Sequence, residues 1–127
     1  MLRQDNGRSI PIYSSRGEWS AVMIYPYLFN TQGEWIGWVA EDRQVYDIQG
    51  SYVGWLTREA RILRQRTHQM LGGGRMPPSA PGRIRPPANI PLPPMMSELP
   101  FGVIDVLADQ PDLLHTIDTG ALKEDMD

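Results

Sequence analysis

Phe29-Asn30-Thr31-Gln32-Gly33-Glu34-Trp35-Ile36-Gly37-Trp38-Val39 decides the reading of this chain, because the same pattern occurs on both sides of it. Before it stands Tyr13-Ser14-Ser15-Arg16-Gly17-Glu18-Trp19-Ser20-Ala21-Val22-Met23, and after it Tyr46-Asp47-Ile48-Gln49-Gly50-Ser51-Tyr52-Val53-Gly54-Trp55-Leu56. The central glycines lie 16 and 17 residues apart. An aromatic residue sits four before each glycine, Ser, Asn or Asp three before, and a long polar residue one before. An aromatic follows two after, and a small residue four after. A repeat of this length is one supersecondary unit that cannot bury its apolar face alone and needs its neighbours to make a core.

Each unit reads as strand, turn, strand. The Ser, Asn or Asp side chain opens a turn by accepting from nearby backbone, and glycine closes it at positive φ. The aromatic and β-branched residues on either side favour strands. Strands are expected over roughly 9–13, 18–25, 27–30, 34–40, 44–47, 51–56 and 60–66. Simple alternation puts the aromatic two after glycine and the small residue four after on one face. The residue five after (Val22, Trp38, Trp55) then points to the other. Glu41-Asp42-Arg43, Thr57-Arg58-Glu59 and Pro26 mark the reversals between units. A helix from Thr57 to Leu71, capped by Thr57 and stopped by Gly72-Gly73-Gly74, competes with the last strand. The alignment of Ile62-Leu63 with Val45-Tyr46 and Phe29-Asn30 favours the strand through Arg66 and leaves 67–71 open.

Working outward, 127 residues suffice for one ordinary domain. Nine of the 12 prolines fall between residues 72 and 100, so composition divides the chain there. The expected organisation is a repeat domain over 1–71, a Gly/Pro/Arg-rich linker over 72–97, a short strand or turn segment over 98–118 that docks on the domain, and an acidic disordered tail over 119–127. Within the last segment but one, Leu99 to Leu107 is the candidate for a fourth, degenerate unit. The proline-rich stretch is expected to be extended, polyproline-II-like, with a Pro-x-x-Pro spacing at Pro78 and Pro81.

Net charge is −3, but seven arginines lie between Arg58 and Arg85 against Glu59 alone, and eight acids from Glu98 onward against Lys123 alone. Neither block is dense enough to predict a nucleic-acid partner. With no cysteine, thiol catalysis and disulfides are excluded. No apolar run approaches a membrane span, and the expectation is a soluble, cytoplasmic chain. His68 and His115 each stand alone, so no metal site is predicted. Glu18 and Glu34 share a repeat position, and Ser51 replaces them in the third unit, which favours a turn role over paired acid–base catalysis. No catalytic residue, cofactor or enzymatic activity is expected. The candidate ligand or partner contacts are the repeat-placed rings Trp19, Trp35, Trp38, Tyr52 and Trp55. Symmetric packing is expected to bring equivalent rings together about the axis.

Tandem Gly-x-Trp-x-Gly-Trp units, here Gly33-Glu34-Trp35-Ile36-Gly37-Trp38 and Gly50-Ser51-Tyr52-Val53-Gly54-Trp55, resemble the four-fold β-flower proteins, a small bacterial group. Unit one departs from the pattern, with Ala21-Val22 in place of Gly-Trp. The resemblance covers about residues 10–66. It implies an all-β fold of three or four repeated hairpins, arranged pseudo-symmetrically as a shallow barrel or flower, with the proline-rich segment trailing as an extended arm. The family brings no settled biochemical role. A shorter likeness, through Asp47 to Gly54, is to PRC-barrel sequences. Three functions stand as expectations. The first is a non-enzymatic interaction module contacting a protein through the 72–107 arm. The second is a binder of small apolar ligands or lipid at a tryptophan-lined centre, and the third a PRC-barrel-like regulatory or assembly module.

Overall fold

The computed structural model describes residues 8–67 and 74–117. Eight strands form one antiparallel meander in chain order: β1 (Ile10–Tyr13), β2 (Trp19–Ile24), β3 (Tyr27–Phe29), β4 (Trp35–Val39), β5 (Gln44–Asp47), β6 (Tyr52–Leu56), β7 (Ile62–Gln65) and β8 (Val103–Asp105). The sheet curls into a half-barrel, followed by a one-turn helix α1 (Val106–Asp109) and a 3-10 turn (Pro111–Leu113). The all-β expectation holds, and the seven expected strands appear in their places. Ile62–Gln65 is a strand paired on both sides, so the competing helix is not formed there. Residues 68–71, the Gly72-Gly73 hinge, His68 and the acidic 119–127 tail lie outside the described residues.

The turns form as the repeat dictates. In the second hairpin, Asn30 Oδ1 accepts from the backbone N–H of Gln32 (3.0 Å) and Glu34 (2.9 Å), and Gly33 N donates to Asn30 O. Asp47 Oδ1 does the same for Gln49 and Ser51, both at 2.9 Å. Gly33 and Gly50 hold φ of +88° and +95°, a region that side chains with a Cβ resist.

Alternation fails at one place in each unit, and the failure sets which face the rings take. Phe29 pairs with Trp35 and Leu28 with Gly37, so Ile36 is an extra residue on β4. The same slip sits between Ile12/Tyr13 and their partners Ala21/Trp19, and between Val45/Tyr46 and Gly54/Tyr52. A β-bulge of this kind puts two residues opposite one and shifts the parity of the residues beyond it. Trp35 and Gly37 therefore face opposite sides, against the expectation. Trp38, paired with Tyr27, shares the face of Trp35.

The inner face is aliphatic. Ile12, Leu28, Val45 and Ile62, one from each hairpin, are all fully buried in one cluster with Ala21, Met23, Ile36, Val39, Val53 and Leu56. Val106 and Leu114 join this cluster, and Leu113 packs against it, so the segment after β8 covers the open side of the half-barrel. The small residues permit close approach. A Cβ at Gly54 would lie 1.9 Å from Leu63 O, and one at Gly37 2.8 Å from Leu114 Cδ2.

Two findings concern closure. β8 pairs with β7, and Arg66 N donates to Gly102 O (2.7 Å), so 103–105 completes a fourth hairpin. The proline-rich segment is therefore the long loop of that hairpin, not a trailing arm. The first and fourth hairpins are clasped by buried polar groups. Asp105 Oδ2 accepts from Ser15 N and Ser15 Oγ (both 2.6 Å), and its Oδ1 accepts from Ala108 N (3.2 Å), capping α1. Arg61, only 3% exposed, donates to Ser15 Oγ and to Glu59.

Candidate functional site

The outer face is aromatic, and the proline-rich loop crosses it as a strap. Arg75 N donates to Gly50 O (2.9 Å) at the tip of the third hairpin, and Ile84 N to Gly33 O (2.9 Å) at the tip of the second. Pro93, which has no N–H, packs 3.6 Å from the Cβ position of Gly17 at the tip of the first. Arg75, Ile84 and Pro93 are spaced nine residues apart, and nine residues of polyproline II span ~28 Å. Between the tips, Tyr27 Oη donates to Ser79 O (2.9 Å) and Tyr13 Oη to Pro91 O (2.7 Å). Side chains would obstruct this path, since a Cβ on Gly33 or Gly50 would lie 1.9 or 2.1 Å from a strap carbonyl.

The five expected contact rings occupy this outer face in different settings. Trp19 and Trp35, at one repeat position, each turn the indole back on its own strand, Nε1 donating to Ala21 O (2.8 Å) and Gly37 O (2.7 Å). Trp35 also meets Tyr27 edge-on at 6.3 Å. Trp38 stacks on Tyr46 at 4.8 Å, and Tyr46 meets Tyr52 edge-on at 5.9 Å. Trp55 is half-buried between its cross-strand neighbours Gln44 and Leu63. Trp38 and Tyr52 are thus brought together, through Tyr46, and the axis itself is filled by aliphatic side chains. The centre is not lined by tryptophan, because the bulge turns those rings outward.

Tyr25, Tyr27 and Tyr46 were not among the expected site residues. For Tyr46 the signal was its place four before glycine, cross-strand from the aromatic two after; Tyr25 and Tyr27 stand outside the repeat pattern. Two clefts open between strap and sheet. One, about 520 Å³, is bounded by Tyr25, Pro26, Trp38, Asp42, Met76 and Pro78. The other, about 680 Å³, lies over Tyr27 and Phe29 beneath Pro81 to Ile84.

Charge fastens the strap at the first cleft. Arg75 Nη2 donates to Asp42 Oδ2 (2.7 Å), and its guanidinium lies 5.2 Å over the Tyr46 ring. The Arg75 hydrogen bond, helped by Gln44 N–H, lowers the Asp42 pKa, and Asp42 in turn raises that of Arg75. Burial raises Tyr46 and Tyr52 above the ordinary phenol value, keeping both neutral. At the far end Ser97 N donates to Glu59 Oε2 (3.3 Å). Arg61 and then Ser97 lower the Glu59 pKa. Of the seven arginines between 58 and 85, Arg61 is buried, Arg64 holds Val53 O, Arg66 Phe101 O, Arg75 Asp42, and Arg83 lies 3.8 Å from Glu34. Glu34 also accepts from Asn30 Nδ2 (2.9 Å), bracing its own turn. Among the described residues no group of three or more His, Asp or Glu stands at metal-holding distance.

Four antiparallel hairpins around one aliphatic centre are the arrangement that the repeat resemblance implied, and a family model for the 4-fold beta flower protein matches residues 10–105. The chain belongs to the four-fold β-flower family. The match runs through β8, well past the three clear repeats, and so includes the degenerate fourth hairpin and the strap. No curated protein and no solved structure matches the chain. No described helix of this β-flower is long and apolar enough to cross a membrane.

Proposed function

We propose that this β-flower is a non-enzymatic interaction module whose strap presents apolar side chains to a protein partner. One observation carries the reading. Met76, Leu92, Met95 and Phe101 are each 90% or more exposed, although they sit on a segment fastened to three hairpin tips. Single exposed apolar residues are ordinary. Four on one tethered segment, three of them within residues 92–101, favour a contact role for it. Holding the segment extended beforehand lowers the ordering entropy that binding would otherwise cost. The regulatory or assembly reading drawn from PRC-barrel proteins has only the Asp47–Gly54 turn behind it.

Truncation at residue 72 cannot test this, since it also removes β8 and the segment that covers the core. The test keeps the full chain and replaces Met76, Leu92, Met95 and Phe101 by serine together. Circular dichroism and Tm should match the unsubstituted chain, while protein partners recovered by quantitative co-purification are lost. Retention of the same partners at the same level would sink the reading, as would finding no specific partner for the unsubstituted chain.

A further inference from the structure

Ser79 and Ile84 pin the strap on either side of the 680 Å³ cleft, through Tyr27 Oη and Gly33 O. Between these pins, Ala80 to Arg83 make no hydrogen bond to the sheet among the described residues, and a Cβ at Gly82 would meet nothing within 4 Å. The strap therefore bridges the cleft here without filling it. The sheet side is apolar: Ile24, Pro26 and the rings of Tyr25, Tyr27 and Phe29. Tyr25 is 39% exposed, so its ring is open to an occupant. The volume falls within the ~300–1,000 Å³ of small-molecule sites.

One charge belongs to this wall, and it sets the ligand class. Arg83 lines the strap side, its side chain 65% exposed, and its nearest acid, Glu34, lies 3.8 Å away, beyond hydrogen-bond reach. Glu34 is itself held by Asn30 Nδ2. At the other cleft the equivalent cation is already committed, since Arg75 bonds Asp42 at 2.7 Å and lies over the Tyr46 ring. Arg83 thus keeps its donors for an incoming group, on a long exposed stem that can swing across the cleft mouth. A carboxylate matches the guanidinium fork with two parallel hydrogen bonds, and a ring attached to it would pack on the tyrosine faces. We propose that this cleft binds a small planar aromatic carboxylate, its rings against Tyr25, Tyr27 and Pro81 and its carboxylate on Arg83. Met76, Leu92, Met95 and Phe101 are not part of this wall, so the site stands or falls separately from a protein partner on the strap.

The probe pair is 2-naphthoate and 2-naphthamide, the same flat rings with and without the negative charge. Each is titrated into the ¹⁵N-labelled full chain. 2-Naphthoate should shift the amides of Tyr27, Gly82, Arg83 and Ile84 saturably, with a Kd of roughly millimolar order for so small a ligand. 2-Naphthamide should bind about fivefold more weakly, and added salt should narrow that gap. Arg83→Gln should leave Tm unchanged, because the side chain is exposed, and should remove the preference for the carboxylate. Arg85→Gln makes the same charge change two residues along the strap and should keep the preference. Equal binding of the two probes would overturn the proposal. So would a preference that survives Arg83→Gln, an equal loss with Arg85→Gln, shifts confined to residues outside the cleft, or no saturable binding of 2-naphthoate.

Discussion

Asp105 shows how much a single side chain does in this fold. It is 1% exposed, closes the first hairpin onto the fourth through Ser15, and caps α1 through Ala108. Asp105→Ala removes the buried acceptor that these donors share and the cap of α1, and should lower stability by ~1–3 kcal/mol, measured by urea denaturation. An effect under about 0.5 kcal/mol would mean the clasp is not formed. Glycines give a matched contrast on the strap side. Gly33→Ala meets both a φ of +88° and the Ile84 carbonyl 1.9 Å away, so it should cost ~1–3 kcal/mol and free the strap at that point. Gly82→Ala meets nothing within 4 Å and should leave thermal stability nearly unchanged. At this scale the sequence was partly legible. The turn residues Asn30, Asp47, Gly33 and Gly50 announce themselves by chemistry. The role of Asp105 does not, because its partner Ser15 lies 90 residues away in the chain.

Among the elements, the hairpins were readable from the repeat and the direction of their side chains was not. Period-two alternation assumes an unbroken ladder, and the bulge at Ser20, Ile36 and Val53 breaks it in every clear unit. A bulge is invisible to hydrophobic alternation in strands of three to six residues, and that is why Trp35 was expected to share a face with Gly37; the rings were expected at the centre from the symmetry of the repeat. The strap was legible as extended, and its nine-residue register was hidden because its partners are backbone carbonyls. Two predictions belong here. Ile84→Pro removes the donor to Gly33 O and should raise strap mobility around residue 84 while the sheet amides keep their protection, read by hydrogen exchange. The second concerns acid. Asp42 and Glu59 titrate lower in the folded chain than in the unfolded one, so the stability they lend is present above the ordinary carboxylate range. It is lost as pH falls through their lower folded values. Strap amides near Arg75 and Ser97 should therefore loosen on acidification before the β-sheet unfolds. Simultaneous loss of strap and sheet would contradict this order. The Asp42–Arg75 pair is solvent-exposed, so its share of the effect should also shrink with added salt.

For the whole molecule, three repeats foretold a flower, and the structure supplies what the repeat lacked. The fourth hairpin is made by distant segments, Ile62–Gln65 and Val103–Asp105, with the strap as its loop. Without a Gly-x-Trp signature, only the apolar run Val103-Ile104 pointed to it, and the intervening prolines made it read as a separate arm. The same connection explains the layered build: aliphatic side chains inside, aromatic rings outside, and a proline-rich strap over the rings. The functional reading depends on that strap being held in register on the hairpin tips. Residue-resolved amide exchange across 75–97 in the full chain tests this most directly. The Arg75 and Ile84 amides, nine residues apart and bonded to Gly50 and Gly33, should be protected, while their neighbours Met76 and Arg85 exchange at rates near those of an unstructured peptide. Uniformly fast exchange along the whole segment would contradict the account, since the strap would then be a free loop.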